Sequence, residues 1–229
     1  MIFEFIIFLV VCCVVVSAII TKRSRLVEYL VNNMSNNMPS QDEALDTLLE
    51  VAGRYYAEKN YLAAEKAYLK VLRVDHKNSL AYSRLGFVYS GLGKNEDAIE
   101  CFKIVADTYP NAASYHNLAM MYFKTRDFPR SATALEKSLS MEMHVNRLVS
   151  LARIYRIMNK FDTQLAALKK AHQLEPNNVE IMQLLAEAYI HEKDDKSARE
   201  LFQKIIKLDP KNMRAQSALK PIIAPKKVS

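Results

Sequence analysis

From Leu45 to Asn212 the sequence copies itself with a period of 33 or 34 residues, in the frames 45–78, 79–111, 112–144, 145–178 and 179–212. A period of this length confines the chain to architectures in which one small unit is stacked on the next. Each frame opens with apolar or small residues spaced i, i+3, i+4, i+7: Leu48, Val51, Ala52, Tyr55; Tyr82, Leu85, Gly86, Tyr89; Tyr115, Leu118, Ala119, Tyr122; Leu148, Leu151, Ala152, Tyr155; Met182, Leu185, Ala186, Tyr189. That spacing is the buried stripe of a helix. A second stripe follows about nine residues after each tyrosine: Ala64, Tyr68, Val71; Ala98, Phe102, Val105; Ser131, Leu135, Ser138; Gln164, Leu168, Ala171; Ala198, Phe202, Ile205. The unit is therefore a pair of helices.

The turns inside the pairs are short and polar: Lys59-Asn60, Gly91 to Lys94, Arg126-Asp127, Asn159-Lys160 and Asp194-Asp195. Pro110, Pro176 and Pro210, followed by Asn111, Asn177-Asn178 and Lys211-Asn212, close units before the next begins. Pro129 suits the first turn of a second helix. With only 4 glycines and 7 prolines in 229 residues, the chain carries less than half the usual Gly and Pro, about 12%. A hairpin-rich fold is excluded.

An aromatic or Leu, then Leu-Gly/Ala, then Tyr, then Ala, an aromatic and Pro is a pattern that resembles the tetratricopeptide repeat family. The resemblance covers 168 of the 229 residues. It implies an all-α fold, a right-handed superhelix of stacked helix-turn-helix repeats. Ala52 with Ala64, Gly86 with Ala98, Ala119 with Ser131, and Ala186 with Ala198 are then the small residues that let paired backbones approach. The fourth frame departs with Gln164 opposite Ala152, and the third ends in Met143 where the family has Pro. Stacked units need an end cap. Met213 to Lys220 is expected to supply it through Ala215 and Leu219, with Pro221 as its stop, and 213–229 ends in a basic tail.

All of residues 1 to 20 except Glu4 and Ser17 are apolar. At about 1.5 Å per residue, twenty residues from Ile2 to Thr21 span about 30 Å, the hydrocarbon thickness of a bilayer. Residues 1–21 are thus expected to be a transmembrane anchor, and 22–44 a basic juxtamembrane segment and polar tether. Lys22, Arg23 and Arg25 follow the apolar run, which by the positive-inside rule leaves the N-terminus outside and the repeats cytoplasmic; the membrane expected, from a resemblance to bacterial single-pass repeat proteins, is a bacterial inner membrane. The alternative is a cleaved export signal, for which Val16-Ser17-Ala18 offers small residues but the start offers no Lys or Arg. The repeats would then be an exported module assisting secretion or folding.

Net charge is +7, but the excess is diffuse: −1 over residues 1–44, +4 over 45–212 and +4 over the last seventeen. No dense basic domain points to nucleic acid. Cys12, Cys13 and Cys101 form no metal or disulfide pattern, and His76, His116, His144, His172 and His191 have no ligand spacing. Gly91-Leu92-Gly93 is a turn rather than a phosphate loop. No catalytic residue, metal or cofactor is expected.

The family resemblance implies that first helices line a groove for a protein or peptide partner. The residues it places there are Phe87, Ser90, His116, Asn117, Met120, Phe123, Lys124, Asn146, Val149, Ser150, Arg153, Arg156, Gln183 and Glu187. The fourth frame alone is +4. Lys124, Arg153 and Arg156 are candidates to take an acidic residue or a C-terminal carboxylate, with Phe87, Met120 and Phe123 taking apolar side chains. Equally, the cations are ordinary solvated helix charges. The family's chaperone-binding clamp falls on Ser83, Phe87, Asn117, Asn146 and Ser150, of which Asn117 alone matches. The resemblance extends to bacterial single-pass repeat proteins that assist envelope assembly, without the cysteines of their rubredoxin-like domain.

Overall fold

The computed structural model describes residues 41–223. These residues hold eleven helices and no strand: α1 Gln41–Ala57, α2 Tyr61–Val74, α3 Ser79–Gly91, α4 Asn95–Thr108, α5 Ala112–Lys124, α6 Phe128–Met141, α7 Val145–Ile157, α8 Phe161–Leu174, α9 Val179–His191, α10 Asp195–Leu208 and α11 Met213–Ile223. The chain divides into two compact units between Leu48 and Leu49, inside α1. Of the first unit, only the opening turns of α1 are described. The second unit is a solenoid in which, from α2 onward, each helix packs on the next.

Every pair is turned by the same device. One residue after each first helix has a left-handed φ: Lys59 at 58°, Gly93 at 76°, Arg126 at 62°, Asn159 at 58° and Lys193 at 61°. The next N–H reaches back to the carbonyl of the last stripe tyrosine, as Asn60 does to Tyr55, Lys94 to Tyr89, Asp127 to Tyr122, Lys160 to Tyr155 and Asp194 to Tyr189. These are Schellman closures, and only one of the five uses the glycine that such a φ favours. The residue that completes the closure also begins the second helix. Asn60, Asp127 and Asp194 accept a bond there from the N–H groups of Ala63, Arg130 and Ser197, whereas Lys94 and Lys160 offer no acceptor.

The asparagines that end the repeats have a matching role. Asn78, Asn111, Asn178 and Asn212 accept from the N–H groups of Ala81, Ser114, Ile181 and Ala215, capping the helix of the following repeat. At the corresponding place before α7 stands His144, whose Nδ1 accepts from Asn146.

The second stripe is buried in all five pairs, from Ala64, Tyr68 and Val71 to Ala198, Phe202 and Ile205. The first stripe is more open: Leu48, Val51, Tyr82, Tyr89, Tyr115 and Tyr189 are half-buried, and Tyr55 is 36% exposed. The small residues stand where helices touch: Ala52, Ala64, Ala98, Ala119, Ser131, Ala186 and Ala198 are fully covered. A Cβ on Gly86 would lie 2.7–2.9 Å from the Phe102 ring. Ser131 turns the close approach into a bond, its hydroxyl donating to the Ala119 carbonyl at 2.7 Å. Ser138 does the same to Ala112 at 2.6 Å. Gln164 is accommodated in the fourth pair and buried.

Two boundaries differ from expectation. Residues 41–44, assigned to the tether, are the first turn of α1. Helix α11 runs to Ile223, past Pro221, instead of stopping before it. Proline forfeits the N–H bond that residue 221 would make to the carbonyl of residue 217, and only two helical residues follow it. The expected anchor, residues 1–21, and the basic tail beyond Ile223 lie outside the described residues. Among those described, no helix is long and apolar enough to cross a membrane.

Candidate partner-binding face

The groove positions recur on the first helix of each repeat, so the register of the repeats decides what faces what. On α3 and α5 three of them are apolar and open. Phe87 is 36% exposed, Met120 44% and Phe123 38%. The two phenylalanines are anchored from behind, Phe87 edge-on to Phe102 with centroids 5.0 Å apart and Phe123 edge-on to Phe128 at 5.8 Å. Half-buried Asn117 lies on the same helix as Met120. Val149, expected to contribute to the face from α7, is 8% exposed and belongs to the core. The family resemblance placed this side chain on the face; it packs instead into the cluster that holds Leu148, Leu151 and Ile154.

The cations proposed for an acidic partner already have partners. Lys124 Nζ donates to the carbonyl and hydroxyl of Ser90 at 2.7 and 2.9 Å. It thereby meets the negative end of α3. Arg153 pairs with Glu180 at 2.5 Å, and Arg156 approaches Glu187 at 3.9 Å. Glu187 also takes Arg214 of α11 at 2.5 Å. Arg153–Glu180 and Glu187–Arg214 are the same pair of repeat positions with the signs exchanged, each 27 residues apart. Glu180 and Arg214 were not identified from the sequence, although the 27-residue interval between opposite charges was a readable signal. All these side chains are partly solvated, so each pair contributes about 0–1 kcal/mol. They zip successive first helices together more than they present charge.

His116 is half-buried, and its Nδ1 is covered without a hydrogen bond. Burial first, then the charges of Arg147 and His144, hold its pKa below the ordinary 6.5. A neutral imidazole results. Arg147 itself is committed to the Glu142 carboxylate at 2.9 Å. Exposed Leu80, Ile157 and Ile190, close to the ends of their helices, extend the apolar character of the first helices and were not among the residues expected on this face. Among the described residues, no three His, Cys, Asp or Glu side chains stand close enough to hold a metal ion.

Three segments, residues 67–100, 111–143 and 156–220, match tetratricopeptide repeat families, together more than half of the chain. Superkiller protein 3 of Schizosaccharomyces pombe is 26% identical over 183 residues, 75% of this chain and 13% of that protein. The chain spans 13 to 24% of the length of the curated relatives it matches. The crystal structure of MamA protein superposes with a TM-score of 0.66 at 22% identity, covering 76% of this chain and 96% of that one. YrrB, described as a TPR protein with an unusual peptide-binding site, superposes at 0.65 with 16% identity, covering 80% and 98%. At such identities the structural likeness concerns the fold. Repeated register, repeated caps and these matches agree: the chain carries tetratricopeptide repeats, and its described residues form a solenoid of them.

Proposed function

We propose that the protein is a non-catalytic, membrane-tethered scaffold that holds a segment of a partner protein along its first helices. The observation that carries this reading is the open apolar strip of Phe87, Met120 and Phe123, kept in place by rings behind it. Monomeric surfaces rarely keep large apolar groups together without use. The peptide-binding site named for YrrB is consistent with it.

An acidic residue or terminal carboxylate on the partner would meet Lys124, Arg153 and Arg156 only by exchange, displacing Ser90, Glu180 or Glu187. Trading one exposed ion pair for another is nearly neutral. Apolar side chains therefore supply the affinity, and the carboxylate supplies orientation. The test is photocrosslinking in cells from a benzophenone side chain at Met120. Capture is expected to fall with Phe87→Glu and with Phe123→Glu, and to survive Arg153→Gln with Arg156→Gln. Loss in the double Gln variant alone would overturn the order of importance, and unchanged capture in every variant would overturn the site.

Residues 1–20 and the cations that follow support anchoring, with the repeats cytoplasmic at a bacterial inner membrane and a role in envelope assembly. Val16-Ser17-Ala18 supports the alternative of an exported module. A reporter fused after Ser229 separates them. Cytoplasmic fluorescence agrees with the first, and alkaline phosphatase activity without fluorescence rejects it.

A further inference from the structure

A cavity of about 370 Å³ opens between α6 and α8, floored by Leu148, Leu151 and Tyr155 of α7. It lies on a different flank of α7 from Arg153 and Arg156. Ala166 and Ala167 form one wall, and Leu139 belongs to the other. Glu136 lines it too, its carboxylate accepting from the Tyr155 hydroxyl. Lys170, the hydroxyl-bearing Ser140 and Thr163, and the exposed Met143 complete the lining.

The repeats themselves indicate what is missing. In the third repeat the position equivalent to Leu148 is Tyr115, and the residue twenty-two further on, Lys137, holds its ammonium 5.3 Å from the centre of that ring. In the fourth repeat the lysine remains, as Lys170, also twenty-two residues on, but the ring is replaced by Leu148. In the second repeat Tyr82 stands at this position, with Ile104 twenty-two residues on. In the fifth, Met182 fills it and is fully buried, and Leu201 stands where the fourth repeat has Ala167. The wall is shortened again at Ala166, which replaces the Glu100 and Glu200 of the second and fifth repeats. The cavity is thus the vacated place of an aromatic ring, with the ring's lysine still present.

We propose that this cavity receives an aromatic side chain, Phe or Tyr, from a partner protein, at a second docking point separate from the Phe87–Met120–Phe123 strip. An apolar cavity of about 150 Å³ is enough to hold benzene, so the space suffices for a ring and its first methylene. Three features select an aromatic guest over an aliphatic one. The Lys170 ammonium favours a π-face. The Met143 thioether favours a ring edge. The Glu136 carboxylate and the Tyr155 hydroxyl accept from a guest phenol. No net charge on the partner is required, because Glu136 and Lys170 oppose one another.

The test uses the full chain with ¹³C-labelled Ala, Leu and Met methyl groups, titrated with N-acetyl-phenylalaninamide and separately with N-acetyl-leucinamide. The phenylalanine probe is expected to shift the methyls of Ala166, Ala167, Leu148 and Met143 saturably, and the leucine probe to bind about fivefold more weakly, the worth of one exposed cation–π contact. Leu148→Tyr returns the array's own ring and is expected to abolish the response. Ala166→Glu installs a residue that two other repeats carry at this place, and is expected to do the same if the tyrosine variant folds poorly. Equal binding of the two probes, no saturable shift, shifts confined to Met120, or an undiminished response in Ala166→Glu would each overturn the proposal.

Discussion

Replacing Gly86 by Ala sets two known effects against each other at one atom. In an ordinary helix interior the change stabilises by about 0.8–1 kcal/mol, because glycine loses more backbone freedom. Here the new Cβ would stand 2.7–2.9 Å from the ring of Phe102, where ordinary contact begins at 3.4 Å, so the ring must recede by 0.5–0.7 Å. It has little room to do so. Phe102 is 1% exposed and wedged edge-on against Phe87. Overpacking of this kind costs about 1–3 kcal/mol, so the variant should be destabilised by about 1 kcal/mol. Gly53→Ala is the matched control, since its nearest neighbour is the Tyr68 hydroxyl at 4.0 Å. It should gain the propensity term and lose nothing. The gap between the two variants, about 2 kcal/mol, isolates the clash and corresponds to about 4–8 °C in Tm for a chain of this size. Urea and thermal unfolding followed by helical circular dichroism measure it. If Gly86→Ala is as stable as Gly53→Ala, the close approach does not constrain the crossing and the reasoning fails. Phe102→Leu should relieve the clash, so the double variant should lose less than the sum of the singles.

Three further outcomes follow from the caps and the buried titratable groups. Arg126→Gly and Lys193→Gly remove left-handed backbone strain at φ 62° and 61° and should each stabilise by about 0.5–1 kcal/mol, while Lys160→Asp supplies an absent N-cap acceptor worth about 1 kcal/mol; chemical denaturation reads all three, and lower stability in the glycine variants would contradict the Schellman assignment. Cys101 is buried, and burial together with Asp97 and Glu100 pushes its thiol up to about 12, so iodoacetamide at pH 8 should label it only after unfolding. Rapid labelling of the folded chain, seen by mass spectrometry, would show that the α4 core opens. His116 and His172 both have folded pKa values below their ordinary 6.5, chiefly through burial. The unfolded chain therefore binds more protons just below pH 6.5, and their contribution, complete above that pH, is lost as pH falls through the folded values. His116→Gln should flatten that acid-side loss, and an unchanged pH profile of unfolding would place the titration elsewhere.

The helical pairs were legible because helix burial is periodic and the period was repeated: Ala98, Phe102 and Val105 read as a buried face from spacing alone, and they are one. The asparagines at repeat ends were legible as punctuation, though their work as caps for the following helix was not. The left-handed turn residues were mostly hidden, since Lys59, Arg126 and Lys193 do not announce such a φ, and only their alignment with Gly93 and Asn159 betrays it. The candidate face was half legible. Phe87, Met120 and Phe123, expected to face a partner, are exposed, whereas Val149 is buried.

The physical reason is one of range. Residues three and four apart meet on a helix whatever the rest of the chain does, so the local pattern by itself determined the helices, the pairing and the stacking of repeats. Arg153 and Arg156 find Glu180 and Glu187 across a whole repeat, and whether a cation is free or spoken for depends on how two helices cross. The same holds for the cavity beside Leu148: a leucine in place of a tyrosine is visible in the alignment of repeats, but whether neighbours close over the space is decided by packing, and Ala166 and Ala167 leave it open.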